Sequence, residues 1–112
     1  MPTLYYFDLY GRAEAMRMLL SHAQVHFDDK RITQEEFVSM REDGTLPSGQ
    51  VPLWEDEGRQ LNQTSAILRL LGKQHGYYSM DPMEGYNADW AMETGADIFG
   101  PAFVGLYFKP GD

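Results

Sequence analysis

Three features of the sequence predict an α/β fold. An apolar, aromatic strand runs into an amphipathic helix and a second strand; a capping-box helix stands alone; and a hairpin leads into a third amphipathic helix. The order is βαβ, then α, then ββα, so a parallel pair of strands should be followed by an antiparallel pair. The chain has 112 residues, enough for one small domain and a fragment of another, and its 43% apolar and 23% charged composition suits a folded globular protein. A domain of this size buries roughly two thirds of its unfolded surface, which leaves little stability in reserve.

Thr3 to Phe7 is short, apolar and aromatic, as a buried strand should be. Gly11 marks a turn, and from Arg12 the period changes: Ala13, Met16, Leu20 and Ala23 recur at helical spacing. Val25 to Ile32 is expected as the second strand, with Val25, Phe27 and Ile32 as its apolar members. Thr33-Gln34-Glu35-Glu36 is a capping box that should open a short helix through Phe37 and Met40. Asp43 to Gly49 is dense in turn formers and should be a loop. Val51-Pro52-Leu53-Trp54 and a segment near Gln60-Leu61 flank Glu55-Asp56-Glu57-Gly58, a hairpin signal. Gln63 to Lys73 gives a third helix, with Ala66, Ile67, Leu70 and Leu71 on one face and Gly72 near its end.

This order is the thioredoxin-like topology. It is expected over residues 1–74, with a linker at 75–86 and the start of a truncated all-α domain at 87–112. A further helix should run from about Pro82 to Phe99, weakened by Gly95, Gly100 and Pro101, and Lys109-Pro110-Gly111-Asp112 makes a poor helix end.

A net charge of −8 argues against nucleic acid and anionic membranes as partners, since both want clustered Lys and Arg. The absence of cysteine removes disulfides, thiolate metal sites and dithiol redox chemistry. Met1 to Asp8 lacks the basic and apolar regions of a signal peptide, and no apolar run approaches the ~20 residues of a membrane helix, so a cytoplasmic protein is expected. His22, His26 and His75 are scattered without ligand spacing and are expected to be surface or packing residues.

Two places invite chemistry. Tyr6 ends a strand that feeds a helix N-terminus, where ligands of open α/β sheets bind, although composition alone makes it an ordinary core tyrosine. Gln63 and Thr64 open the third helix, where free amides attract an anion, a role compatible with simple capping. Four segments then carry a family resemblance. Leu4-Tyr5-Tyr6-Phe7, Gly11-Arg12-Ala13-Glu14, Gln50-Val51-Pro52-Leu53 and Leu61-Asn62-Gln63-Thr64-Ser65-Ala66-Ile67 resemble, in order and spacing, the glutathione-contacting segments of glutathione transferases, most closely the sigma class. The similarity covers roughly residues 2–99.

The resemblance implies a tyrosine-type enzyme that uses glutathione as co-substrate. A thiol of pKa near 8.5 is only a few per cent ionised at neutral pH, and a phenol donating to its sulfur favours the thiolate. At about 1.5–3 kcal/mol for a charge-assisted bond, the gain is on the order of one to two pKa units. Tyr6 would be that phenol and Arg12 its support, while Tyr5 should face the other side of the strand and Tyr10 is less well placed. Phe7, Phe37, Arg41, Gln50, Val51, Pro52, Gln63, Thr64 and Asp97 would complete the glutathione site. Val51-Pro52 resembles the family's cis-proline turn, which pairs with the cysteinyl backbone like an added strand. Gln63 and Thr64 would hold the γ-glutamyl carboxylate. Phe37, Arg41 and Gln50 stand where relatives usually carry a tryptophan and two lysines, which implies a grip on the glycyl carboxylate weaker by about 1 kcal/mol or more.

Asp97 resembles the aspartate that crosses a dimer interface to the γ-glutamyl ammonium, the plainer alternative being a solvated helix charge. Glu93, Ala96 and Asp97 leave the family's acidic cluster incomplete, so no metal is assigned. The implied function is attack of activated glutathione on a small electrophile by a full-length homodimer, or isomerisation by the same thiolate. The alternative is a non-catalytic glutathione-binding or crystallin-like structural protein; Tyr6, Arg12, Gln63 and Thr64 together favour the enzyme. With one helix of the second domain, the apolar Ala91, Met92, Ile98, Phe99, Phe103 and Val104 would be exposed or paired with another chain, and the 112 residues alone should turn over poorly.

Overall fold

Five residues, Thr3–Phe7, form β1, the strand against which the rest of the sheet is ordered. In the computed structural model the structure describes residues 1–107, with side chains described for residues 1–97. A 3-10 turn at Gly11–Ala13 leads into α1 (Glu14–His22), followed by β2 (Asp28–Ile32), α2 (Gln34–Glu42), β3 (Leu53–Asp56), β4 (Arg59–Asn62), α3 (Thr64–His75) and α4 (Pro82–Tyr107). The sheet order is β2-β1-β3-β4. β1 runs parallel to β2 and antiparallel to β3, and β3 runs antiparallel to β4. The chain is therefore a thioredoxin-like α/β domain followed by one long helix.

Strand alternation builds the core. Leu4 and Tyr6 are buried on one face of β1, and Trp54 joins them from β3. Ala13, Met16 and Leu20 from the first helical segment and Ile67 and Leu71 from α3 close over that face. Each large apolar side chain fully buried there contributes about 1.5–3 kcal/mol. Leu53, one residue from Trp54, is equally buried, as alternation requires if the opposite face is also covered.

The sequence expectations shift at several boundaries. β2 begins at Asp28, not Val25: its ladder starts where Thr3 pairs with Asp28, and Pro2 upstream has no N–H with which to extend it. Val25 and Phe27 instead pack as half-buried residues against the core. The helix expected from Arg12 starts with a 3-10 turn, because Gly11 has φ +47 and lies against Tyr6. α3 starts one residue later than expected, as Gln63 has φ 76, and continues to His75. It ends at Gly76, in the left-handed region, where the amides of Gly76, Tyr77 and Tyr78 converge on the Gly72 carbonyl. The hairpin turn falls at Glu57-Gly58, both with positive φ, the twist that two-residue hairpins favour.

α4 opens inside the expected linker. Asp81 accepts a bond from the Glu84 amide at 3.0 Å and Pro82 fills the first helical position, a standard start signal. The helix is tied back to α3: Arg69 Nε donates to Asp89 Oδ1 at 3.0 Å, and the Tyr78 hydroxyl donates to the same carboxylate at 3.0 and 3.2 Å. The side chains of Ile98, Phe99, Phe103 and Val104 and the Lys109–Asp112 tail lie outside the described residues.

Candidate active site

Register gathers the expected residues at one end of the sheet. Phe7 pairs with Ile32, so Thr33 and α2 leave β2 beside the end of β1. β3 begins at Leu53, opposite Tyr5, which brings Val51 and Pro52 off β3 near Tyr6 and Phe7. Leu53 also pairs with Asn62, so Gln63 and Thr64 follow β4 at that same end. Three segments far apart in sequence therefore meet where the loop after β1 turns into the first helix. The Val51-Pro52 bond is cis.

Tyr6 is 2% exposed. Its hydroxyl accepts a hydrogen bond from the Arg12 backbone N–H at 3.1 Å. Gly11 covers the same hydroxyl so closely that a Cβ at position 11 would overlap it. A hydroxyl that accepts an amide bond is polarised toward donating its own proton. Arg12 thus reaches Tyr6 through its amide, while its exposed side chain makes no ion pair among the described residues. Tyr5 lies on the other face, where burial first, and then the Glu55 and Asp28 carboxylates, push its phenol above the usual tyrosine value. Tyr10 is 71% exposed, and its carbonyl accepts from Arg17 at 3.3 Å.

On the α2 side, Phe7, Phe37 and Arg41 form a ladder. The Phe7 and Phe37 rings meet edge to face at 5.3 Å, and the Arg41 guanidinium sits 5.2 Å from the Phe37 centroid. The Arg41 stem passes Gly49, where a built Cβ would touch it at 3.5 Å, so Arg41 lies one residue from Gln50. Gln50 is exposed and Val51 half-buried against the core. The loop is tied to β4 by a hydrogen bond from Asn62 Nδ2 to Ser48 Oγ.

At the opposite wall, Gln63, Thr64 and Ser65 open α3. Gln63 is held at φ 76, ψ 108, a sparsely populated region that costs on the order of 1–3 kcal/mol and concentrates at functional sites. Between this helix start, the Gly11–Arg12 turn and α4 lies a cleft of about 660 Å³. Arg12, Gln63 and Thr64 line it with Ser65, Glu14 and Met92. Tyr6, Phe7, Phe37, Arg41, Gln50, Val51 and Pro52 do not; Tyr6 lies beneath Gly11, and the α2 residues form a neighbouring surface. Asp97 is exposed on α4 and is not part of the lining. Among the described residues, no group of three His, Asp or Glu side chains converges.

One residue escaped the sequence reading. Arg17 is 7% exposed on the core face of α1 and reaches under the Tyr6 ring, 5.8 Å from its centroid. The signal was available, since position 17 lies on the stripe of Ala13, Met16 and Leu20, where an arginine is out of place.

Comparison with known proteins points one way. A family described as "Glutathione S-transferase, N-terminal domain" matches residues 2–73. The mouse glutathione S-transferase A4 is 40% identical over 98 residues, covering 87% of this chain and 44% of the relative. The rat glutathione S-transferase alpha-4 is 38% identical over 109 residues, covering 96% and 49%. A solved structure of a nematode-specific enzyme of this kind from C. elegans superposes with a TM-score of 0.87 at 29% identity, over 99% of this chain and 56% of its own. The chain spans about half the length of the curated relatives it matches, at 44% and 49%. The rat relative is an alpha-class protein by name, so the sigma class expected from the motifs is not carried by these similarities.

Proposed function

This chain belongs to the glutathione S-transferase family, and we propose that it forms the half of such an enzyme that binds glutathione and ionises its thiol. The observation that carries this is the Tyr6 hydroxyl, held by the Arg12 amide under a glycine at the edge of the cleft. Thiol sulfur approaching past Gly11 meets a polarised phenol that donates to it, which favours the thiolate without a general base. The thiolate then attacks a small electrophile. Arg12 adds its amide to Tyr6 and its exposed guanidinium to the cleft.

The rest of glutathione is read from the surrounding elements. Gln63 and Thr64 offer the α3 N-terminus to the γ-glutamyl carboxylate. Val51 and Pro52, with Phe7 alongside, receive the cysteinyl backbone as an added strand. Arg41, stacked on Phe37 beside Gly49 and followed in space by Gln50, takes the glycyl carboxylate. Asp97 serves the γ-glutamyl ammonium of a second subunit in the full-length homodimer. We keep a sigma-like class, a cytoplasmic setting and a role in detoxification in this proposal. The 112 residues alone bind glutathione weakly and turn over poorly.

The test is Tyr6→Phe. Ultraviolet titration of bound glutathione should show its thiol pKa raised by about one to two units, with a corresponding fall of roughly 8–25-fold in thiolate at neutral pH. An unchanged titration would remove Tyr6 from the mechanism. Retention on immobilised glutathione without turnover of a model electrophile, in the full-length protein, would favour the non-catalytic binding reading.

A further inference from the structure

We propose that Arg17 is a positioning residue that fixes the turn over Tyr6, and through it the Arg12 amide that polarises the Tyr6 hydroxyl. Its guanidinium is buried on α1 and spans several elements. Nη1 donates to the Leu9 carbonyl at 2.9 Å, the Tyr10 carbonyl at 3.3 Å and Glu14 Oε2 at 3.1 Å, while Nε donates to Asp29 Oδ1 at 3.1 Å on β2. Leu9 and Tyr10 are the two residues before Gly11 and Arg12, so the side chain grips the backbone immediately ahead of the amide that meets Tyr6. The same group lies 5.8 Å from the Tyr6 ring centroid. One cation therefore holds both the ring and the loop that closes over its hydroxyl.

The arrangement is not the one that stability alone selects. Arg17 occupies the apolar stripe of α1, where a methionine or leucine would pack without losing a charge's hydration. Its Nη2 is buried with no hydrogen-bond partner among the described residues. The supporting carboxylate is itself held: Asp29 Oδ2 pairs with Arg31 at 3.2 Å, and Arg31 pairs with Asp8 at 3.0 Å. This ladder runs from the sheet edge to the underside of Tyr6, and its inner end aims the loop carbonyls. Lysine cannot replace it, because a single nitrogen cannot reach Asp29 and both carbonyls from one rigid fork.

The consequence for thiol ionisation rests on the reading of Tyr6 given above; the consequence for the loop does not. The experiment compares the full 112-residue chain with Arg17→Met, Arg17→Lys and Asp29→Asn. Amide hydrogen exchange at Gly11 and Arg12 should accelerate about tenfold or more in Arg17→Met, with α3 amides at Ile67–Leu71 little changed. Arg17→Lys should recover only part of that protection. Asp29→Asn, which keeps the arginine and takes the charge from one anchor, should move exchange in the same direction by less, and it decides the matter if Arg17→Met does not fold. In the ultraviolet titration, Arg17→Met should raise the bound thiol pKa in the parent and leave it unmoved in a Tyr6→Phe background. Unchanged exchange at Arg12 in the folded variants overturns the proposal, as does an equal titration shift in both backgrounds. If Tyr6→Phe alone leaves the titration unmoved, the Tyr6 reading falls and the exchange result decides Arg17 by itself.

Discussion

A methyl group at position 11 has nowhere to go: the backbone there has φ +47, and the built Cβ runs into the Tyr6 ring and hydroxyl and the Leu9 side chain. Gly11→Ala should therefore displace Tyr6 and break the Arg12 bond, costing about 1–3 kcal/mol of stability from the left-handed backbone and local overpacking together. Urea denaturation would show the cost as a lower midpoint, and glutathione affinity should fall with it. A stable, fully binding Gly11→Ala protein would mean that the turn is not built around Tyr6. The sequence marked Gly11 as a turn and Tyr6 as a candidate, but not that the first lies on the second. That relation depends on how the loop folds back, and no local pattern encodes it.

Among the elements, α2 is the one with most at stake in its cap. None of its residues is buried, so little tertiary packing holds it. Its start is a complete capping box: the Thr33 hydroxyl accepts from the Glu36 amide at 3.1 Å, and Glu36 Oε1 accepts from the Thr33 amide at 3.1 Å. Thr33→Ala should cost about 1 kcal/mol, read as a lower urea midpoint with unchanged slope. Because α2 carries Phe37 and Arg41, the variant should also weaken glutathione binding on the glycyl side; unchanged affinity would argue against that assignment. This element was legible because its signal is local. β2 was less so: its members Asp28-Asp29-Lys30-Arg31 carry no apolar alternation, and their place is set by pairing with β1.

For the molecule as a whole, the attachment of α4 to the sheet domain is the point most open to acid. The hydrogen bond from Arg69, assisted by Tyr78 and by the charges of Arg69 and Lys73, holds Asp89 below the usual carboxylate value, against a smaller opposing effect of burial. A carboxyl depressed in the folded state contributes stability above its unfolded value of about 3.9, and that contribution is lost as pH falls through the lower folded value. Arg69, whose own value is raised chiefly by the Asp89 hydrogen bond, stays charged throughout. Below about pH 4 the segment between α3 and α4 should thus become cleavable by an acid-active protease while Trp54, 2% exposed in the core, keeps its buried emission in a Trp90→Phe background. Asp89→Asn should leave the segment equally cleavable at neutral and acid pH. Simultaneous loss of both signals in the parent would show that the clasp does not act separately from the core.

The sequence alone determined the elements with local signatures: an aromatic strand, two helices with apolar stripes, a third with its capping box, a hairpin turn, and the motif segments that carry the family. Short-range periodicity and backbone preference suffice for these, because they act over a few neighbouring residues. Only the tertiary structure decided that Phe7 faces Phe37, that Arg41 reaches the loop before Gln50, and that the first helix carries a buried arginine under Tyr6. Those relations join residues brought together by strand register, where burial and hydrogen-bond geometry outweigh local pattern. Tyr6 shows both contributions: its place at the end of β1 was written in the sequence, while its cover by Gly11, its amide from Arg12 and its buried cation come from the folded loop.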